Sequence, residues 1–393
     1  MADLYAVIMA GGRGERFWPL STNSLPKPFI PLLGKRSLIQ DTVERILPLA
    51  PPERILVSIG AAHLETARQQ LLHIPAGNFI VEPVGRDTAA CLGFCALHIE
   101  KRDPDGLMLA LPADHYIRDL GAYRDAVRSG IGNLGDATGV VFGIPPVRPE
   151  TGYGYILTEG DASAAGCRRV VRFVEKPDAP TAARYLADGR YFWNSGMFLW
   201  RNRTLLELFE THMPELYDGL CRLRPHVGMD ESHGEIYRIF PGLPRISIDF
   251  GILEKASGLR MIPARFGWDD IGTWSSLERV LPAARPAGTA HLPGEKRVSV
   301  RSATLTKSGG GNTGLATEQT AHASVGHRGS GKAPCSVPAA ETAGKLHATA
   351  ARAGRLRHRQ LSVPAWQKPG AVRSSGRGVA GGGRTRRWGR SER

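Results

Sequence analysis

The sequence predicts an α/β fold: a Rossmann-like, mostly parallel sheet flanked by helices over residues 1–285, then a basic low-complexity tail over 286–393. Three observations carry this expectation. Apolar runs of strand length alternate with amphipathic segments, the pattern of βα repeats. A glycine-rich loop follows the first apolar run directly. Several residue types also vanish together near residue 270.

Each element follows from its local chemistry. The run "LYAVIMA" is continuously apolar, as a strand covered on both faces requires. "SLIQDTVERILPL" reads as a helix opened by Ser37. "RILVSIG" gives a second strand, "HLETARQQLLHI" a helix and "NFIVEP" a third strand. "DTAACLGFCALHIEKR" is a helix capped by Asp87 or Thr88, and "GLMLALPADHYI" a fourth strand ending in a polar cluster. In such a sheet the ligand crevice lies beyond the carboxyl ends of the strands, so candidate residues are sought there. No internal repeat of fixed period is present.

The 393 residues are 42% hydrophobic, enough for at least one large core. No run approaches the roughly 20 apolar residues of a membrane span. The start MADLYAV lacks the basic-then-apolar layout of a signal peptide. The expected location is cytoplasmic, with no membrane partner. The five cysteines (Cys91, Cys95, Cys167, Cys221, Cys335) have no paired metal spacing and fit reduced thiols. Cys91 and Cys95, four apart in an apolar helix, suit core packing.

The net charge of +14 belongs to the tail. Residues 287–393 hold 19 Lys and Arg against 4 Glu, whereas the preceding 286 hold 32 basic and 33 acidic residues. There is no Ile after Ile271, no Phe after Phe266, no Tyr after Tyr237 and no Asp after Asp270. Such a segment cannot offset its ordering entropy, so it is expected to be disordered. A basic arm, a linker and an out-of-frame reading of downstream coding sequence compete to explain it. The last is favoured, because off-frame reading of GC-rich DNA removes several residue types at once. Selection for nucleic-acid binding gives no reason to exclude Ile and Tyr, so nucleic acid is not the expected partner.

Gly11, Gly12 and Gly14 follow the first strand, where glycines let backbone N–H groups approach a phosphate. The spacing is not GxxxxGK[ST], and Phe17 stands where GxGxxG would need its third glycine. The loop can still wrap a polyphosphate, with Arg16 and Lys27 as cations around it. A structural turn with solvated charges is the alternative. Asp114, at the end of a strand, reads as a metal ligand or a helix cap. Glu175 and Lys176 read as a solvated pair or a site, and Gly152 and Gly154 around Tyr153 as a bulge or a ligand contact.

The string "GGRGERFWPLSTNSLPKPF" resembles the signature of the sugar-1-phosphate nucleotidyltransferases, and its Phe-Trp-Pro-Leu-Ser variant the mannose-1-phosphate guanylyltransferases among them. Seven further motifs follow in that family's order: "EPVGRDTAA", "LPADHYI", "ETGYGYI", "FVEKPD", "WNSGMF", "ISIDFGILEKA" and "GWDDIGTW". The resemblance covers about residues 3–280 and implies the nucleotide-diphospho-sugar transferase type of fold. The chain carries Asp87 and Ala90 where many relatives have Asn and Pro.

The resemblance implies transfer of GMP from GTP to mannose 1-phosphate, giving GDP-mannose and pyrophosphate. Gly11, Gly12, Gly14 and Gly85 would then contact the nucleotide, and Arg16 and Lys27 the departing phosphates. Asp114 and Asp270, the latter preferred to Asp269, would hold Mg²⁺, which offsets phosphate charge. Gly152, Glu175, Lys176 and Asn194 would take the sugar phosphate, with Lys176 on its phosphate and Glu175 and Asn194 on hydroxyls. Trp193 and Met197 are assigned to the core. His115 is given a structural role, because a sugar phosphate is already ionised and needs no general base. Another hexose phosphate or nucleotide is the first alternative. A truncated, inactive relative is the second, if a missing C-terminal segment completes a homodimer or covers the sugar site.

Overall fold

The first apolar run forms β1 (Leu4–Met9), and the predicted alternation follows it: α1 (Leu38–Ile46), β2 (Ile55–Gly60), α2 (Leu64–Gln70), β3 (Phe79–Glu82), α3 (Asp87–Arg102) and β4 (Leu107–Pro112). The computed structural model describes residues 2–12, 17–160, 166–229 and 233–281, and the backbone of two short strands, Thr289–His291 and Arg297–Ser299. Arg13–Arg16 lie outside the described residues, and with them Gly14 and Arg16. The chain divides into two units, Met1–Gly329 and Ser330–Arg393. Apart from the two short strands, the tail expected over 286–393 also lies outside the described residues.

These first four strands pair in parallel, in the order β3-β2-β1-β4. The order reverses at β1, so the crevice opens beyond the carboxyl ends of β1 and β4. The Ala113 amide donates to the Met9 carbonyl at 3.1 Å, which sets the turn carrying Asp114 beside the glycine loop. Two side chains of α1 brace that turn: Thr42 donates to the Ala113 carbonyl, and the buried Arg45 donates to the His115 carbonyl at 2.8 Å. Ser37 opens α1 as expected, in a capping box with Gln40. The cap of α3 differs from expectation. Arg86 occupies the N-cap without a side-chain bond, because the Asp87 carboxylate bonds the Thr88 amide and Thr88 Oγ1 accepts the Ile248 amide.

Beyond β4 come β5 (Tyr116–Ile117), α4 (Leu120–Asn133), β6 (Gly139–Ile144), β7 (Tyr155–Thr158), β8 (Arg168–Val174), α5 (Ala179–Asp188) and β9 (Tyr191–Arg201). They are followed by α6 (Asn202–His212), α7 (Pro214–Leu223), α8 (His233–Ile239), β10 (Leu259–Pro263), β11 (Trp268–Asp269) and α9 (Trp274–Val280). The parallel pattern gives way here to a mixed nine-stranded sheet, β3-β2-β1-β4-β9-β6-β10-β8-β7, in which β9 runs antiparallel to β4, β6 and β7. The pairing of β9 with β6 shifts register between Val141 and Gly143. Such an irregularity re-aims side chains locally, here around Asn194–Gly196.

Helices α3, α6 and α7 pack on one face of the sheet around Phe94, Trp200 and Leu220. Residues of α1, α2 and α4 cover the other face with Val43, Ala67, Val127 and Phe142. A third cluster joins Phe17, Leu20, Ile30, Leu32 and Leu38 to Ile271 and Leu277. With the antiparallel pair β5–β11, it brings Asp270 to the loop after β1. Cys91 and Cys95 are buried with free thiols, and Trp193 and Met197 are buried as expected. No helix among the described residues is long and apolar enough to cross a membrane.

Leu277 is the test of that third cluster. Leu277→Ala is expected to lower the unfolding free energy by about 3 kcal/mol, measured by chemical denaturation.

Candidate active site

A cavity of about 210 Å³ opens at the carboxyl ends of β1 and β4. Met9, Pro112 and His115 form one side, Gly152–Gly154 and the Glu175–Lys176 loop another. Thr88, Asn194–Gly196, Phe198, Ile248, Asp249, Trp268 and Asp270 complete it. Three non-glycine residues among those described have positive φ: Asp87 (66°), Lys176 (45°) and Ile271 (44°). Lys176 lines the cavity, and the other two adjoin Thr88 and Asp270, which do. Strain of this kind persists where surrounding structure over-determines it, commonly at functional sites.

One end of the site is organised by Lys27, which is only 4% exposed. Its ammonium contacts Asp114 Oδ2 at 2.8 Å and donates to the main-chain carbonyl of Asp270 at 2.6 Å. The ring of Phe17 lies 5.8 Å from it. Burial alone would push the Asp114 carboxyl up, but the charge and hydrogen bond of Lys27, with His115 and a main-chain hydrogen bond, together outweigh it and hold the group below the usual carboxylate range. Asp270 Oδ1 accepts from Tyr153 Oη at 2.8 Å and from the Gly272 amide at 3.0 Å. A Cβ on Gly272 would stand 2.7 Å from Asp270 Oδ2, so glycine is needed for that carboxylate to fold back. Asp269 is used elsewhere, accepting from the Ile271 amide and pairing with Arg279.

His115 Nδ1 accepts from Trp268 Nε1 at 3.1 Å. Burial, reinforced by Lys27, lowers its pKa to about 4, so the ring is neutral at physiological pH. Among the described residues no group of three or more His, Cys, Asp and Glu converges on a metal site. The Lys27 ammonium nevertheless links the Asp114 carboxylate to the main chain of Asp270. Two carboxylates near the end of β1 would suit Mg²⁺, which takes one or two carboxylates and draws its remaining ligands from phosphates and water.

The other end is acidic. Glu175 pairs with the exposed Lys176 at 2.8 Å. Its carboxylate lies over Gly154, where a Cβ would stand 2.4 Å from Oε2. Asn194 accepts the Gly196 amide on Oδ1 and donates through Nδ2 to Asp249 Oδ1 at 2.7 Å. Asp249 begins a π-helical turn, Asp249–Leu253, a local form frequent at functional sites. Burial, and then the nearby Glu175 carboxylate, push Asp249 up to about 6 against the opposing effects of Asn194 and Lys176.

Lys27, Asp114, Gly152, Glu175, Lys176, Asn194 and Asp270 thus converge at or beside one cavity, as a shared site requires. The Gly152 amide, expected to face a sugar, donates to Glu150 Oε1 at 3.2 Å. Among the described residues, no atom lies within 4 Å of where a Cβ on Gly11, Gly12 or Gly85 would stand, so packing among them does not demand glycine there. Sequence reasoning missed three participants: Tyr153, Thr88 and Asp249. Tyr153 lay between two glycines already singled out. Asp249 sits within "ISIDFGILEKA" without any spacing that sets it apart from a surface carboxylate.

Comparison with known proteins identifies the family. The family described as "Nucleotidyl transferase" matches residues 5–285. The xanthan biosynthesis protein XanB of Xanthomonas campestris is 39% identical over 279 residues, covering 70% of this chain and 59% of that protein. The mannose-1-phosphate guanylyltransferase RfbM of Salmonella typhimurium is 40% identical over 278 residues, covering 69% and 57%. This chain therefore spans less than two thirds of the length of these relatives. A crystal structure from Thermus thermophilus, described as a mannose-1-phosphate geranyltransferase, superposes with a TM-score of 0.63 at 40% identity, covering 71% of this chain and 79% of that one. With the match running through all nine strands of the main sheet, the chain belongs to the nucleotidyl transferase family.

Proposed function

We propose that this protein transfers GMP from GTP to mannose 1-phosphate, releasing GDP-mannose and pyrophosphate. The observation that carries the reading is one cavity lined by Asp270 at one end, with the Lys27–Asp114 pair joined to the Asp270 main chain behind it, and by Glu175, Lys176 and Asn194 at the other. The first end suits a triphosphate and the second a phosphorylated polyol. The name of the Salmonella relative, a mannose-1-phosphate guanylyltransferase, supports the choice of mannose and guanine.

In the proposed reaction a phosphate oxygen of mannose 1-phosphate attacks the α-phosphorus of GTP in line. The new P–O bond forms as the bond from the α-phosphorus to the bridging oxygen breaks, and pyrophosphate leaves with that electron pair. Lys176 neutralises the attacking phosphate, while Glu175 and Asn194 fix the ring through its hydroxyls. Lys27 exchanges Asp114 for a β- or γ-phosphate oxygen, with Arg16 as its partner cation. Asp114 and Asp270 would hold Mg²⁺, which supplies charge neutralisation and polarises the α-phosphate. Tyr153 keeps Asp270 oriented. The nucleophile is already anionic, so the neutral His115 has no proton to remove.

Pyrophosphate release from GTP plus mannose 1-phosphate tests this reading, with other hexose 1-phosphates and nucleotides run in parallel. A well-folded protein that releases none with any pair would overturn it. Asp114→Asn and Asp270→Asn are each expected to cut kcat by about 100-fold or more, and EDTA to abolish turnover. For Lys176→Met, loss of one charge-assisted contact should raise the KM for the sugar phosphate by about tenfold or more, with the KM for GTP little changed.

A further inference from the structure

Beyond these residues, the geometry points to Asp249 as a specificity-determining residue of the sugar subsite, sharing with Glu175 the task of accepting hydroxyl hydrogens from the hexose ring. The inference rests on the proposed reading of the cavity as a hexose 1-phosphate site. Asp249 lines the same cavity as Glu175, Lys176 and Asn194. It reaches it from a different segment, tied to α3 by the Ile248 amide on Thr88 Oγ1 and the Ala89 amide on the Ile246 carbonyl. The 2.7 Å bond from Asn194 Nδ2 fixes its orientation.

The chemistry of the pair selects its ligand. At this end of the cavity two carboxylates, Glu175 and Asp249, stand beside one ammonium, Lys176, whose contact with Glu175 is exposed. Once Lys176 turns to a phosphate, the carboxylates lose that counter-charge and need donors. An anionic group would be repelled by both. A metal ion would be opposed by Asn194, which presents its NH₂ to Asp249 while its carbonyl oxygen takes the Gly196 amide. A neutral polyol supplies O–H donors and no charge, so ring hydroxyls are the chemistry that satisfies both acceptors. Asp249 stands here although its ionisation opposes burial, the trade expected where function takes precedence over stability.

The test uses the full chain as wild type, Asp249→Asn and Asp249→Ser, with pyrophosphate release measured for mannose 1-phosphate and glucose 1-phosphate. Loss of a hydroxyl contact to a charged acceptor should raise the KM for mannose 1-phosphate by about tenfold or more while the KM for GTP stays within about twofold. The preference between the two epimers should also narrow. An unchanged sugar KM, or an equal rise in both KM values, overturns the assignment while leaving the wild-type activity standing. A wild type inactive with every hexose 1-phosphate overturns the functional reading, and this inference with it.

Thermal melts separate this role from a structural one. The charged groups acting on Asp249 are Glu175 and Lys176 from the loop after β8; Asn194 on β9 and Thr88 on α3 are neutral. Because its pKa is raised in the fold, its contribution to stability is present at low pH and lost as pH rises from about 4 through 6. Asp249→Asn, which cannot ionise, should melt above wild type at about pH 8 and by a smaller margin at about pH 5. Asp249→Ser provides the same kinetic comparison if the Asn variant does not fold. A variant that melts lower at both pH values with both KM values unchanged marks Asp249 as structural and overturns the assignment.

Discussion

The contact between Lys27 and the turn bearing Asp114 is the constraint on which the rest of the site depends. An ammonium only 4% exposed cannot remain uncompensated, and the fold answers with a carboxylate 87 residues downstream and a main-chain carbonyl 243 residues away. Much of the surrounding architecture keeps these segments together. Thr42 and Arg45 of α1 steady the Asp114 turn, while the cluster around Ile271 and Leu277 fastens the Asp270 segment to the loop after β1.

The two ends of the cavity are built on different physical terms. At the Lys27 end, each charge already has a partner and the carboxyl of Asp114 is stabilised as an anion. At the Glu175 end, acceptors outnumber cations and the carboxyl of Asp249 resists ionisation. One end is therefore prepared for exchange of charged partners, and the other for neutral donors. Backbone strain at Lys176 and Ile271 falls immediately after the acidic residue of each end, where the chain must turn abruptly to present it.

Much of this was legible in the sequence because burial leaves a periodic trace. The strands through β4, the helix opened by Ser37, and the position of Asp114 after a strand all follow from local pattern and capping chemistry. Strand direction does not, since an apolar run reads alike in parallel and antiparallel neighbours, and the mixed half of the sheet was accordingly missed. The cap of α3 was misassigned because Thr88 bonds a residue 160 positions away. Asp270 could be preferred to Asp269 only through resemblance; in space the two separate plainly, one facing the cavity and the other held by Arg279. Asp249 left no local trace, because its surroundings come from β8 and β9.

Strand β9 is bonded to the parallel half of the sheet through β4 and to the later half through β6 and β7. Its irregular stretch at Asn194–Gly196 lies between those attachments. Alternate residues of a strand face opposite sides, so adding or removing one residue there would turn Asn194 away from the cavity while the flanking pairs held their places. Chain length through this stretch is therefore under tighter constraint than the identity of most side chains in it. Variation along this lineage should be rich in substitutions near β9 and poor in insertions within it.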